Sequence, residues 1–327
     1  MLFREDKTAR EEAMAVRTAA GWYRWQHDLV EVTGPDAGKL LDCLCVNDIL
    51  GAGPGVSKYT TLLNEEGTIV DDTIVTNLGE DIYWVSTLYG PRFVKWFEKW
   101  ADGYDCSVKD RTYEVDMYAV QGPESAAVMN TLLEKPVDDL KRFRMEDNRL
   151  GGLEVRIHRS GFTGENGYEI YCPAESTETV REALRGTGIK ELRTLEVYVR
   201  SLPMEKGFAL RQDMYGLTPY ECGLGWSVKK DRDFVGKEAM QAHGKQRKLV
   251  GFTFTPERDG YEDIAQNEVV YHRGVPCGIA RQMIYGYTVD KNIGFAIVEN
   301  RFAENGTVLT VGPNRAVITV CDKTFLK

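Results

Sequence analysis

Apolar and polar positions change their period several times along this chain. The opening residues, MLFREDKTAREEAMAVR, are charged and helically spaced, and predict a helix running to Gly21, a residue suited to the position just past a helix end. Period-two alternation follows in DLVEVT, residues 28–33, and predicts a strand. Gly34-Pro35-Asp36 then turns the chain into AGKLLDCL, which is helically spaced. The same order returns later. Residues 117–120 read as a strand, Gly122-Pro123-Glu124 as a turn and SAAVMNTLL as a helix. Both helices carry an acid in their first turn, where the macrodipole favours it. The two units are either related halves of one α+β body or common turn chemistry met twice.

A meander lies between the copies. KYTTLL (58–63) and residues 68–76 read as strands joined by the loop Asn64-Glu65-Glu66-Gly67, and IYWVS (82–86) as a third strand. Behind Pro91, the residues Phe93, Trp96, Phe97 and Trp100 fall at i, i+3, i+4, i+7, an amphipathic helix whose stripe reads as core. Residues 153–158 and 167–172 are further strands around the glycine-rich SGFTGENG (160–167). A helix from Ser176 stops near Gly186, and a second, 192–202, meets Pro203. A charged, turn-rich passage (229–248) separates all this from short strands with almost no helical signal. The expected organisation is a body over 1–243 and a small β-barrel over 244–327.

Composition narrows the function classes. The chain has 327 residues and a net charge of −9. That length suggests more than one domain, and that charge argues against a nucleic-acid groove. No run approaches the roughly 18 apolar residues of a membrane span, and the N-terminus lacks the apolar stretch of a secretory signal. The expectation is a cytoplasmic protein with no membrane partner. Seven scattered cysteines suit reduced, buried thiols. Cys43-Leu44-Cys45 lacks the CxxC spacing, and the four histidines lack HxH or HExxH spacing, so no metal is expected.

Three strings could carry chemistry. In NEEGTIVDDTIV (64–75), Asp71 and Asp72 fall mid-strand on opposite faces, where acids are depleted. Such carboxylates must be hydrogen-bonded, paired or shifted in pKa for work, unless a bulge or sheet edge leaves them in water. In SGFTGENGYEI (160–170), glycines can admit a ligand, and Glu165 and Glu169 can accept the N–H groups of a flat heterocycle; a glycine-rich turn with surface acids is the alternative. In GWYRWQHD (21–28), Trp22, Tyr23, Trp25 and His27 can box a methylated cation or stack on a ring, and Arg24 can clamp a carboxylate, unless the string is simply an aromatic-packed corner.

Taken in order, VTGPDAGKLLDCLCVND (32–48), YTTLLNEEGTIVDDTIV (59–75), VQGPESAAV (120–128), SGFTGENGYEI, SLPMEKGFAL (201–210), TPYECGLGWSVKKDRDFVGKEAM (218–240) and YGYTVDKNIGFAIVE (285–299) resemble the glycine-cleavage T-protein family of tetrahydrofolate-dependent one-carbon transferases. The resemblance implies a three-domain disc around a central folate channel. It implies that Asp72 lies by the reacting nitrogens, that Glu169 binds the pterin, and that Phe162, Glu165 and Trp226 help to hold the folate. Departures cluster on the donor side. The family's GLFDVSHM is GWYRWQHD here, with Arg24 for Asp and Trp25 for Val, and SLRLEAG is SLPMEKG, with Pro203 for Arg. Phe162 stands where a Tyr is usual. The expectation is therefore a demethylase-like relative. It would take its one-carbon unit from a small methylated substrate, such as a betaine, a sulfonium compound or an aryl methyl ether, rather than from a lipoyl arm. Trp22, Tyr23, Arg24, Trp25 and His27 would shape that pocket. An aminomethyltransferase proper, a non-catalytic folate-binding assembly or regulatory protein, and a module of a larger dehydrogenase complex, with an unknown protein partner, are the alternatives.

Overall fold

The computed structural model describes residues 6–25, 28–244, 246–255 and 264–327. Asp6 starts the first helix, Lys7–Thr18, by accepting a hydrogen bond from the Ala9 amide at 2.9 Å, a side-chain N-cap. The chain then enters a six-stranded sheet at Gly21–Trp25 and leaves it for a five-stranded sheet. The latter has the order Ser57–Leu63, Ile69–Gly79, Ile82–Thr87, Asp28–Thr33, Ser107–Asp110. Val115–Gln121 returns to the six-stranded sheet, which is completed by Met145–Leu150, Leu153–His158, Gly167–Pro173 and the short Lys190–Glu191. Six strands between Arg247 and Cys321 close into a barrel. The fold is α+β with a C-terminal β-barrel.

The two similar units adopt the same local form, one in each sheet. Asp28–Thr33 leads to Ala37–Leu44, and Val115–Gln121 leads to Ser125–Leu132. Each turn holds a glycine at positive φ, 120° for Gly34 and 129° for Gly122, where a side chain would collide with the neighbouring backbone.

Alternation sorts each sheet into an outer and an inner face. The outer face of the six-stranded sheet packs Trp22, Tyr118, Val120 and Ile170 against helices, including Ser125–Leu132. That of the five-stranded sheet packs Val30, Val32 and Val85 against Phe93 and Phe97 of the aromatic-striped helix, Gly90–Trp100. The inner faces meet each other and the barrel in a third core, with Tyr23, Ile69, Met117, Leu202 and Ile284 among its members.

The helix expected over 192–202 starts later. The buried carboxylate of Glu12 accepts the amides of Arg193 and Thr194, both at 3.0 Å, and holds that segment out of the helix. Val197–Ser201 is wound as a wide turn with i→i+5 bonding, and Leu202–Glu205 continues beyond it. Pro203 sits in the first turn of that last piece, where its missing N–H costs least, so it does not end the helix.

Candidate active site

Between the inner faces lies a cavity of about 540 Å³. Its walls come from both sheets, from the segment 206–226 and from Lys323 and Thr324 beyond the barrel's final strand. Lys323 is fixed there by donating to the Cys222 carbonyl at 2.9 Å. The lining is largely aromatic and aliphatic, with Asp71, Asp72 and Glu169 as its carboxylates.

Asp72 is half-buried on the cavity wall, and one of its oxygens accepts from the Tyr59 hydroxyl at 3.1 Å. Register accounts for the pair: Asp72 lies opposite Thr61, so Tyr59 is its diagonal neighbour on the same face. The Tyr59 ring in turn stacks on Trp226, 5.7 Å between centroids, and Trp226, 65 % exposed, stands at the cavity rim. Asp71 is buried and differently held. It accepts from the Thr87 hydroxyl at 2.7 Å and from the Asp72 amide at 2.9 Å. Burial pushes the Asp71 carboxyl up to about 6. Burial, followed by the charge of Asp71, pushes Asp72 up to about 7.

Raised carboxyls give stability a definite slope. Between the unfolded carboxylate value near 4 and the folded values of about 6 and 7, the native state holds protons that the unfolded chain has lost. The stabilisation is full below about pH 4 and is lost as pH rises through 6 to 7. The urea midpoint of the wild type should therefore fall from pH 5 to pH 8 more than that of Asp72→Asn. Parallel midpoints in the two proteins would rule the shift out.

Glu169 faces the same cavity from Gly167–Pro173. Its Oε2 lies 2.9 Å from Nδ1 of buried His158 and accepts from the Tyr171 hydroxyl at 3.2 Å. His158 is its direct partner across the strand pair, and Tyr171 is two residues on, along the same face. Two of the glycines around it also answer a packing need. A Cβ at Gly161 or Gly167 would fall within 2.5 Å of the Gln121 amide group. That amide is internal: it donates to the Ser160 carbonyl and accepts from the Thr163 hydroxyl. The loop is cut away at both positions for a buried glutamine, and Gly161 also lines the cavity.

Several anticipated residues stand elsewhere. Tyr23 and Trp25 line the cavity, but Trp22 and Arg24 point from the opposite face of the same strand. Trp22 is 1 % exposed and packs on Tyr118 in the outer core. Arg24 grips Asp116 through Nε and Nη2, at 2.6 Å for the shortest contact, and is not available as a clamp in the cavity. Glu165 is drawn away by Arg17 at 3.0 Å and Lys206 at 3.5 Å. Phe162 does line the cavity, with ring centroids 6.1 Å from Trp25 and 5.8 Å from Phe208. His27 lies outside the described residues.

Tyr59, His158, Tyr171, Phe208 and Lys323 went unnoticed in the sequence. The first three were within reach, because hairpin register and i+2 spacing place them beside Asp72 and Glu169. For Lys323, nothing local tells that a tail beyond a barrel returns to the body.

The described residues include no helix long and apolar enough to cross a membrane. Residues 3–232 match the family model for the GCVT N-terminal domain, and residues 247–327 that for the glycine cleavage T-protein C-terminal barrel domain. An aminomethyltransferase of Halalkalibacterium halodurans is 32 % identical over 92 % of this chain and 85 % of its own length. One of Bacillus subtilis is 31 % identical over 92 % of this chain and 86 % of its own. The crystal structure of the glycine cleavage system aminomethyltransferase T from Bartonella henselae superposes with a TM-score of 0.87 at 25 % identity, covering 97 % of this chain and 89 % of that one. With both parts of the chain matched, and a cavity that presents Asp72 and Glu169 on its walls, the chain belongs to the glycine cleavage T-protein family of tetrahydrofolate-dependent one-carbon transferases.

Proposed function

We propose that the central cavity holds tetrahydrofolate and that the chain transfers to it the one-carbon unit of an aminomethyl donor entering the same space, the donor's nitrogen leaving as ammonia. One observation carries this reading: Asp72, with its carboxyl raised to about 7, lines the cavity and is held by Tyr59, whose ring stacks on Trp226. The residues fit the group. A pterin is flat and has N–H donors along one edge. The cavity offers aromatic faces and, in Glu169, a carboxylate with one oxygen already fixed by two internal partners. When bound, tetrahydrofolate supplies the amine nitrogens that take up the one-carbon unit.

Glu169 accepts the N–H groups of the pterin edge, while His158 and Tyr171 keep its carboxylate from rotating. Asp72 takes the proton of the reacting amine and, as a carboxylate, stabilises positive charge next to it. Tyr59 holds Asp72 in place, so little reorganisation is needed when that charge develops. The apolar walls keep bulk water away and strengthen both effects.

The names of the relatives support an aminomethyl donor, and we place that reading first. A small methylated donor is the second reading, favoured by the aromatic group of Trp25, Tyr23, Phe162 and Phe208 at one side of the cavity, with Trp25 where the family string has valine. Engagement of Arg24 with Asp116 removes the reason to require a carboxylate on that donor. Titration calorimetry with tetrahydrofolate, followed by mass analysis of products, separates the readings. Methylene-tetrahydrofolate from an aminomethyl-loaded lipoyl carrier supports the first. Methyl-tetrahydrofolate from betaine, a sulfonium compound or a methoxybenzoate moves the assignment to the second. Folate binding without either product leaves a binding or assembly role, and absence of folate binding ends the proposal.

A further inference from the structure

A second cleft, of about 340 Å³, lies against the cavity with Asp71 lining both. Adjacent residues divide between the two spaces. Leu88, Leu210 and Met214 line the cavity, while Tyr89, Arg211 and Tyr215 line the cleft.

The cleft gathers three cations, Arg92, Lys95 and Arg211. Arg92 and Lys95 are three residues apart on the helix Gly90–Trp100 and so share a face. Arg211 is held in place: its Nε donates to the Val70 carbonyl, and its guanidinium lies 4.8 Å from the Tyr89 ring centre and 5.2 Å from that of Tyr215. None of the three forms a salt bridge with a carboxylate among the described residues. Asp71, the acid that lines the cleft, feels Arg211 and Arg92 through space, but its hydrogen bonds go to Thr87 and the Asp72 amide. Three cations thus face a single carboxylate around one concave surface. The remaining walls are apolar, with Leu62, Ile69, Phe93 and Trp96 among them.

We propose that this cleft is a binding site for a small polycarboxylate, a ligand with carboxylates at its ends and methylenes between. The planar fork of Arg211 suits one carboxylate bidentately, Arg92 and Lys95 suit a second, and the apolar floor suits the methylenes. A bare phosphate satisfies the cations but leaves that floor uncovered. The polycarboxylate can come from two sources. It can be free, or it can be the γ-glutamyl tail of a folate seated in the adjacent cavity; the second source rests on the function proposed above.

The test is titration calorimetry on the wild type and on the exposed double variant Arg92→Gln/Lys95→Gln, with Arg211→Gln as a second variant. Tri-γ-glutamate, glutarate and inorganic phosphate are titrated alone, and tetrahydrofolate is compared with its tri-γ-glutamyl form. Tri-γ-glutamate should bind the wild type and lose roughly tenfold or more in affinity in the double variant, while monoglutamyl tetrahydrofolate binds both proteins alike. A gain in folate affinity with added glutamates that vanishes in the variant identifies the tail as the source; variant-sensitive binding of glutarate or tri-γ-glutamate without that gain identifies a free acid. Polycarboxylate binding that ignores the substitutions, no such binding, or phosphate bound as tightly as tri-γ-glutamate overturns the proposal. Failure of monoglutamyl tetrahydrofolate to bind any protein bears on the cavity and leaves the cleft to the tri-γ-glutamate arm.

Discussion

Asp72→Asn is expected to lower the turnover number by about 10²–10⁴-fold, the usual contribution of a positioned acid–base group. The replacement is nearly isosteric, and its amide oxygen can still accept from Tyr59, whose hydroxyl donates to Asp72 at 3.1 Å. What is lost is the ability to take a proton and to offset positive charge. Tetrahydrofolate affinity should change little if, as proposed, Glu169 anchors the ring. Asp71→Asn is the contrasting control. Asp71 is occupied by Thr87 and by the backbone, and its charge helps to hold the Asp72 carboxyl near 7. Removing that charge should keep most of the turnover and move the acidic limb of the pH–rate profile downward. Full turnover in Asp72→Asn would end its assignment as the acid–base group, whatever the folate affinity.

The largest stability loss should follow Arg17→Met, at about 3–5 kcal/mol. Arg17 is 4 % exposed and joins four parts of the fold. It donates to Glu205 at 3.0 Å, to Glu165 at 3.0 Å, and to the carbonyls of Thr163 and Leu202, both at 2.7 Å. Glu205 has no exposed surface, and it also accepts the amides of Thr288 and Val289 at the barrel. Methionine fills the space but leaves a buried carboxylate without its cation. Arg17→Met/Glu205→Gln should recover part of the loss, since the residual buried charge is gone. Denaturant unfolding of the three proteins decides the matter; a loss under 1 kcal/mol for Arg17→Met would place the fold's interlock elsewhere.

How far the site was legible depended on whether its geometry was local. Strand alternation placed Asp71 and Asp72 on opposite faces before any coordinates, and the ordered motifs singled out Asp72 and Glu169. The same alternation undoes the reading of GWYRW as one cluster: Tyr23 and Trp25 face the cavity, so Trp22 and Arg24 cannot. Closeness in a strand's sequence is separation in space for odd neighbours. Glu165 was beyond local reasoning, because the Arg17 that claims it lies 148 residues earlier. The cationic cleft was equally hidden. Arg92 and Lys95 look like the solvated side of a helix until Arg211 is brought beside them from more than a hundred residues away. The barrel was visible as a change of texture in the sequence, but its tail's return to the body was not.

That return bears on how the protein is made. Lys323 and Thr324 form part of the cavity wall, and the amides of Phe325 and Leu326 bond to the Glu205 carbonyl at 2.9 and 2.7 Å. These residues leave the ribosome after every other part of that wall. The body can therefore collapse early during synthesis, but a nascent chain lacking them holds its cavity open on one side, with apolar lining in contact with water. The cavity therefore waits for Lys323 and Thr324 to be made, so a chain stalled within the barrel should be compact yet have this wall unfinished.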